Sequence, residues 1–234
     1  MAWVAFGASV TGPAHLVRNQ PNQDAYRVAG DGHGWFAAVA DGLGSRPFSD
    51  KGAREACKVA RRVLRQSGRT HGLDGLMSQV QSQWMKAVAP CRPSDAATTL
   101  LVARVSASGD LLTAQVGDGL ILVRSGGSFH RFTPQRQGYL NETDSLDALD
   151  ARKRWELGKA RLDSTGDGVI LMTDGISDDL DEDLLEGFFD LIYRKLMNRS
   201  RRRGKQWLRS ELRDWPTPLH GDDKTLAAIF RISG

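Results

Sequence analysis

A single α/β domain is the fold class that this sequence predicts, and three observations predict it. Apolar runs of strand-like composition alternate with stretches in which small and apolar residues recur at helical spacing. No internal repeat and no linker divides residues 1–234. A chain of 234 residues, 40% of them hydrophobic, has the length of one domain and enough apolar surface for a sizeable core.

The elements follow in chain order. Residues Ala2 to Val10 read as a strand, and a loop rich in Gly, Pro and Asn spans Thr11 to Gln23. The short strand AYRVAG comes next. A turn at Asp31-Gly32 then leads into GWFAAVA, a buried-strand pattern. From Ser49 the period changes: Ala53, Ala56, Ala60, Val63 and Leu64 mark one face of a helix whose other face carries Arg and Lys, with Ser49 or Asp50 as its cap. A second helix runs from about Leu73 to Val88 and stops before Pro90. TTLLVARVS, DLLTAQV and LILVRS are strands, and the SGD and GDG between them read as short hairpin connections. Residues 133–166 show weak periodicity and many charges, which suggests a long loop with one short helix. The strand GVILMTD, a helix from about Glu182 to Met197, a further helix over Lys205 to Arg213 and the closing strand TLAAIFRI complete the chain.

Several function classes lose support at this level. No run approaches the roughly 18 apolar residues of a membrane span. The start, MAWVAFGASV, has neither the basic residues nor the long apolar stretch of a signal peptide, so a cytoplasmic location is expected. Cys57 and Cys91 form no CxxC pair and read as idle thiols of a reducing compartment, and five scattered histidines offer no zinc pattern. The net charge of +4 is concentrated at Arg61, Arg62 and Arg65 and in the run RSRRRGK, residues 199–205. No aromatic residues interleave with that run, so a solvated face is expected rather than a nucleic-acid site.

Carboxylates recur where apolar strands begin or end. Asp41 follows GWFAAVA and precedes Gly42; Asp174 follows GVILMT and precedes Gly175; Asp118 lies between Gly117 and Gly119. Asp222 and Asp223 stand immediately before the last strand, and Asp24 before AYRVAG. Asp-Gly is itself a hairpin signal, which remains an open reading for Asp118. The residues after Asp41 and after Asp174 look instead like a loop leading to a helix. Acids gathered at sheet ends raise one another's pKa unless a cation neutralises them, and hard oxygen ligands select Mg²⁺ or Mn²⁺. Two such ions about 4 Å apart would acidify a water and clamp a phosphoryl oxygen.

The ordered series NQDAYRV, AAVADGLG, TTLLVARV, AQVGDG, VILMTDGISD and GDDKT resembles the type 2C metal-dependent protein phosphatases, in a divergent bacterial branch, over nearly the whole chain. The resemblance implies a sandwich of two antiparallel β-sheets flanked by α-helices. It implies a binuclear site at one end, with two Mn²⁺ or Mg²⁺ ions and a weaker third position. There a metal-bound water attacks phosphoserine or phosphothreonine without a phosphoenzyme. By position, Asp41 would bridge both metals and Gly42 would offer its carbonyl. Asp174 and Asp222 would hold one metal, Asp24 would act through water, and Asp118 would join Asp174 at the third position. The implied partner is a phosphorylated protein, with a cognate serine/threonine kinase in a signalling pathway, met by a monomeric enzyme that binds neither nucleic acid nor membrane.

The chain departs from that pattern in places. Gln23 stands where the family usually has Glu, and Asp223 where it has Asn. His15 and Arg18 both lie in the neighbourhood of its phosphate-binding arginine, and His15 is the favoured of the two because GPAH resembles a divergent bacterial branch of the family. GDG replaces the commoner GDS, and Leu43 occupies the position of a histidine proposed as general acid in some eukaryotic members. Residues 133–166, with YLNET, correspond to the family's variable flap and are a candidate for specificity. The leading expectation is a serine/threonine phosphatase. A fold-retaining pseudophosphatase that binds a phosphoprotein or partner is the alternative, supported by Gln23. A basic nucleic-acid-binding module built on RSRRRGK ranks third.

Overall fold

The computed structural model describes residues 2–66, 73–133, 144–147, 155–216 and 221–233. In chain order the regular elements are β1 (Ala2–Val10), α1 (Pro13–Val17), β2 (Ala25–Asp31), β3 (Gly34–Ala40), α2 (Ser49–Gln66), α3 (Leu73–Ala87), β4 (Leu100–Ser106), β5 (Asp110–Val116), β6 (Leu120–Ser125), β7 (Ser128–Arg131), β8 (Glu156–Arg161), β9 (Gly168–Met172), α4 (Asp174–Ser177), α5 (Leu185–Leu196), α6 (Arg201–Arg213) and β10 (Lys224–Ile232). Two antiparallel five-stranded sheets form, in the orders β1-β10-β9-β6-β7 and β2-β3-β4-β5-β8.

The strand sequences explain the layering. Along β3 and β4 alternate residues face opposite ways. Ala37, Val39, Leu101 and Ala103 meet Leu171, Ala227 and Ile229 of the other sheet in the central layer. Ala38, Ala40, Leu100 and Val102 turn outward and pack under α2 and α3, with Met77 and Trp84 at the centre of that layer. On the far side, Ile170, Met172, Ala228 and Phe230 receive Phe189 and Ile192 of α5 and Leu208 and Leu212 of α6. Strands buried on both faces read as continuous apolar runs, which is why β3, β9 and β10 are plain in the sequence.

Elsewhere the structure corrects the sequence reading. The GDG of residues 117–119 joins β5 in one sheet to β6 in the other, so it is a crossover and not a hairpin. The hairpin lies one step later: Gly126 and Gly127, with φ of 57° and 80°, make the tight turn from β6 to β7. Within 133–166 the strand β8 pairs with β5. Its sequence ELGKAR buries no residue fully, as expected of an edge strand, so no apolar alternation announces it. The stretch YLNET lies outside the described residues. Pro13 starts the helical turn α1 inside the expected loop, and α6 begins at Arg201, taking in most of the basic run. Ser49 lies within α2 with its hydroxyl buried and without a hydrogen-bond partner among the described residues, and Asp50 pairs with Arg54, so the expected cap is not seen there.

Candidate metal centre

Strand ends from both sheets deliver the acids to one place. Asp41 continues β3, Asp24 precedes β2, and Asp118 lies on the crossover after β5. From the other sheet, β9 leads through Thr173 to Asp174, and β10 is preceded by Asp222 and Asp223. Carboxylate oxygens of Asp41, Asp118 and Asp174 lie within 4.8 Å of one another, and a second group brings His15, Asp222 and Asp223 equally close.

Backbone contacts fix Asp41. Its N–H donates to Thr99 Oγ1 at 2.9 Å, and its carbonyl accepts from Thr98 Oγ1 at 2.8 Å and Thr99 N at 2.8 Å. The next residue must be small: a Cβ on Gly42 would lie 2.6 Å from the backbone of Ser49, where α2 begins. Gly175 has the same kind of constraint, since its Cβ would fall 2.0 Å from the carbonyl oxygen of Asp223. That close approach brings the Asp174 turn against the Asp222 turn.

The electrostatics show an excess of negative charge. Burial, then the neighbouring Asp223 and Asp174, push the Asp24 carboxyl up to about 8, although Thr225 and Thr173 hydrogen-bond to it and oppose the rise. Thr173 Oγ1 donates to Asp24 Oδ2 at 2.9 Å, tying the two sheets together at the acids. Burial, followed by Asp24, Asp174 and Asp222, holds Asp41 well above the ordinary carboxylate range.

Two residues of this site went unassigned in the sequence. Asp223 is buried, accepting from Gly12 N at 2.7 Å and from Gln23 N at 2.6 Å, with His15 Nδ1 3.0 Å away but out of hydrogen-bond alignment. It clamps the stretch before β2 onto the start of β10. Lys224 is buried behind the acids and donates to the carbonyl of Asp222 at 3.1 Å; burial lowers its pKa, and Asp179, Asp222, Asp223 and Asp24 oppose that lowering. The signal for both was the run Asp-Asp-Lys opening an apolar strand, three charges that a core strand bears only when they are paired.

His15 is therefore a buried neighbour of Asp223, not a surface residue, whereas Arg18 is exposed at the end of α1. Gln23 is buried too, and its Oε1 has no hydrogen-bond partner among the described residues. Leu43 is half-buried beside Asp41 and its N–H donates to Ala97 O. Next to Asp118 opens a cleft of about 400 Å³, bordered by Arg131, Thr133, Ser177, Asp178 and Glu182.

The donor set fits hard divalent cations. Clustered carboxylate oxygens, raised carboxyl pKa values and an orphaned amide oxygen are what such ions relieve by coordination. Together the fold and this site define the class: a two-sheet α-β-β-α sandwich carrying an acidic, metal-type centre at one end of the sheets.

The comparisons agree and name the family. The sequence model of protein phosphatase 2C matches residues 11–215, and the chain belongs to that family. Among solved structures it is similar to the photosystem II phosphatase PBCP, at 17% identity over 98% of this chain and 99% of that one, with a TM-score of 0.69. The catalytic domain of the serine/threonine protein phosphatase PstP, solved with two manganese ions, matches at 16% identity over 99% of both chains, with a TM-score of 0.67. RsbX in complex with magnesium matches at 14% identity over 97% and 94%, with a TM-score of 0.63. No curated protein sequence matches. No helix among the described residues is long and apolar enough to cross a membrane.

Proposed function

We propose that this protein is a Mn²⁺- or Mg²⁺-dependent phosphatase that hydrolyses phosphoserine and phosphothreonine in protein substrates. The observation that carries the proposal is the convergence of Asp24, Asp41, Asp118, Asp174 and Asp222 from the ends of both sheets, in a chain of this family. Asp41, Asp174 and Asp222, with the Gly42 carbonyl, would hold two ions, Asp24 would act through water, and Asp118 would share a third position with Asp174. Bound there, such ions supply an acidified water and neutralise the phosphoryl oxygens. The chain's own residues hold that chemistry in place. Thr98 and Thr99 fix the backbone of Asp41, Thr173 orients Asp24, and Asp223 locks the segment leading to Asp24. In this reading His15 steadies α1 against Asp223, and Arg18, exposed at the same helix end, meets the substrate phosphate. Leu43 cannot donate a proton, so solvent protonates the leaving alkoxide.

The test offers the purified protein p-nitrophenyl phosphate and a phosphothreonine peptide, with Mn²⁺ and then with EDTA. Metal-dependent turnover is expected, falling at least ~10²-fold in Asp41→Asn and Asp174→Asn. Full activity in EDTA, or in both variants, would move the chemistry elsewhere. Gln23 supports a second reading, a partner-binding pseudophosphatase. Metal and phosphopeptide binding without turnover would select it.

A further inference from the structure

We infer that a basic groove beside the metal centre docks an acidic segment of the phosphoprotein substrate. The inference rests on the phosphatase reading for the word substrate, but the groove is argued from its own chemistry. The run 199–205 holds five of the chain's 32 basic residues; without it the net charge of +4 would become −1. The structure places Arg201, Arg202, Arg203 and Lys205 in the first turns of α6, all exposed, with no acid in the first turn of the helix. Helix N-termini are positive, so these cations sit where the helix dipole disfavours them. Among the described residues none of the five pairs with a carboxylate. Arg199 is held by the Trp207 ring and the Lys195 carbonyl. The rest form an uncompensated positive field.

That field faces a recess. β1 and β2 are the edge strands of their sheets, and they lie side by side. Between them opens a groove of about 400 Å³, lined by residues 5–7 of β1, residues 26–28 of β2, and Arg201 and Lys205 of α6. Close packing makes it: a Cβ on Gly204 would lie 2.2 Å from the Phe6 ring, so α6 sits tightly on β1 and its N-terminal cations reach the β2 edge. Lys205 Nζ lies 5.7 Å from the centre of the Tyr26 ring, and Arg201 Nη2 reaches the Val28 carbonyl at 3.4 Å. A narrow cleft with cations, one aromatic face and a strand edge suits an extended acidic peptide.

Position links the groove to catalysis. Residues 26–28 of β2 follow Asp24, which stands immediately before that strand, by two to four positions, about 7–13 Å at the rise of a β-strand. A polypeptide whose phosphorylated residue occupies the metal centre can therefore lay acidic residues a few positions away into the groove. Both contacts then belong to one molecule, and the second comes at high effective concentration.

The experiment has a binding arm and a kinetic arm, both on the full chain. In the first, a fluorescently labelled, unphosphorylated Asp/Glu-rich peptide and a neutral peptide of equal length are titrated by anisotropy. In the second, kcat and KM are measured on phosphothreonine peptides with acidic or neutral flanks and on p-nitrophenyl phosphate. The variant is Arg201→Glu/Lys205→Glu, with Arg202→Glu/Arg203→Glu as a control outside the groove lining. Acids at a helix N-terminus favour the helix, so both should fold, as circular dichroism will verify. The expected result is salt-sensitive preference for the acidic peptide, weakened about three- to tenfold in the groove variant, as the loss of two exposed charge pairs would give. The kinetic loss should fall on KM, with p-nitrophenyl phosphate turnover unchanged. No acidic preference in the native protein, or an undiminished one in the groove variant, overturns the inference. So does tighter binding of oligo(dT) or phosphatidylserine vesicles than of the acidic peptide, lost in the same variant. Absence of all metal-dependent turnover refutes the phosphatase reading alone, and the anisotropy arm still decides the groove.

Discussion

The raised carboxyl of Asp24 makes the metal-free protein less stable as pH rises, the reverse of ordinary acid behaviour. In the unfolded chain the group ionises near 3.8, and in the folded chain near 8. Below both values it is protonated in either state and costs nothing. Between them the folded state keeps a proton that the unfolded state has released, so the stability present at low pH is progressively lost until pH passes about 8. One such proton is worth about 1.4 kcal/mol per pH unit, or on the order of 6 kcal/mol at most across the window. Asp41, also raised, acts in the same direction. Divalent cations bind the ionised form, so saturating Mn²⁺ should flatten the dependence and release protons below pH 8. The assay is urea unfolding by tryptophan fluorescence at pH 5, 6, 7 and 8, with EDTA or Mn²⁺, for the native protein and Asp24→Asn. The amide removes the titration while still accepting from Thr173, so its stability should fall less with pH than that of the native protein. A native EDTA series that is flat or rises with pH, or one that Asp24→Asn matches, would refute the reasoning.

Two further perturbations probe the supports of the centre. Asp223→Ala leaves Gly12 N and Gln23 N without their acceptor, which should cost about 2–6 kcal/mol at 1–3 per stranded group, read as a lower urea midpoint. Gly175→Ala forces a Cβ against the Asp223 carbonyl and should cost about 1–3 kcal/mol by overpacking. Because it pushes apart the Asp174 and Asp222 turns, calorimetry should also show weaker Mn²⁺ binding.

The parts of the fold legible in the sequence are those with a local physical signature. Strands β3, β9 and β10 are buried on both faces and announce themselves as apolar runs, and α2 does so by its alanine period. The edge strand β8 exposes most of its residues and left no such trace. Asp118 shows the limit most clearly. A Gly-Asp-Gly between two strands is locally a hairpin signal, and only the long-range pairing of β5 with β4 and β8, and of β6 with β7 and β9, makes it a crossover. In the candidate site, the acids at strand ends were visible because they interrupt apolar runs. Their supports were hidden. Thr98, Thr99 and Thr173 are ordinary strand residues in the sequence, and only the folded chain turns their hydroxyls onto Asp41 and Asp24.

Uneven support lets the chain tolerate so many buried acids before any ion is bound. Asp223 is satisfied by two backbone N–H groups, and Lys224 brings a buried cation to the carbonyl of its neighbour Asp222. Together they stabilise the side of the centre formed by β10. The hydroxyls of Thr173 and Thr225 do not offset the burial of Asp24, the threonines around Asp41 hold its backbone and not its carboxylate, and both carboxyls rise accordingly. The strain of the acidic cluster is thus concentrated on the two residues that lead into β2 and out of β3. A divalent ion that binds there gains affinity by relieving it. The folded chain holds these proposed ligands in place at a cost in metal-free stability, and that cost is what the pH titration of Asp24→Asn measures.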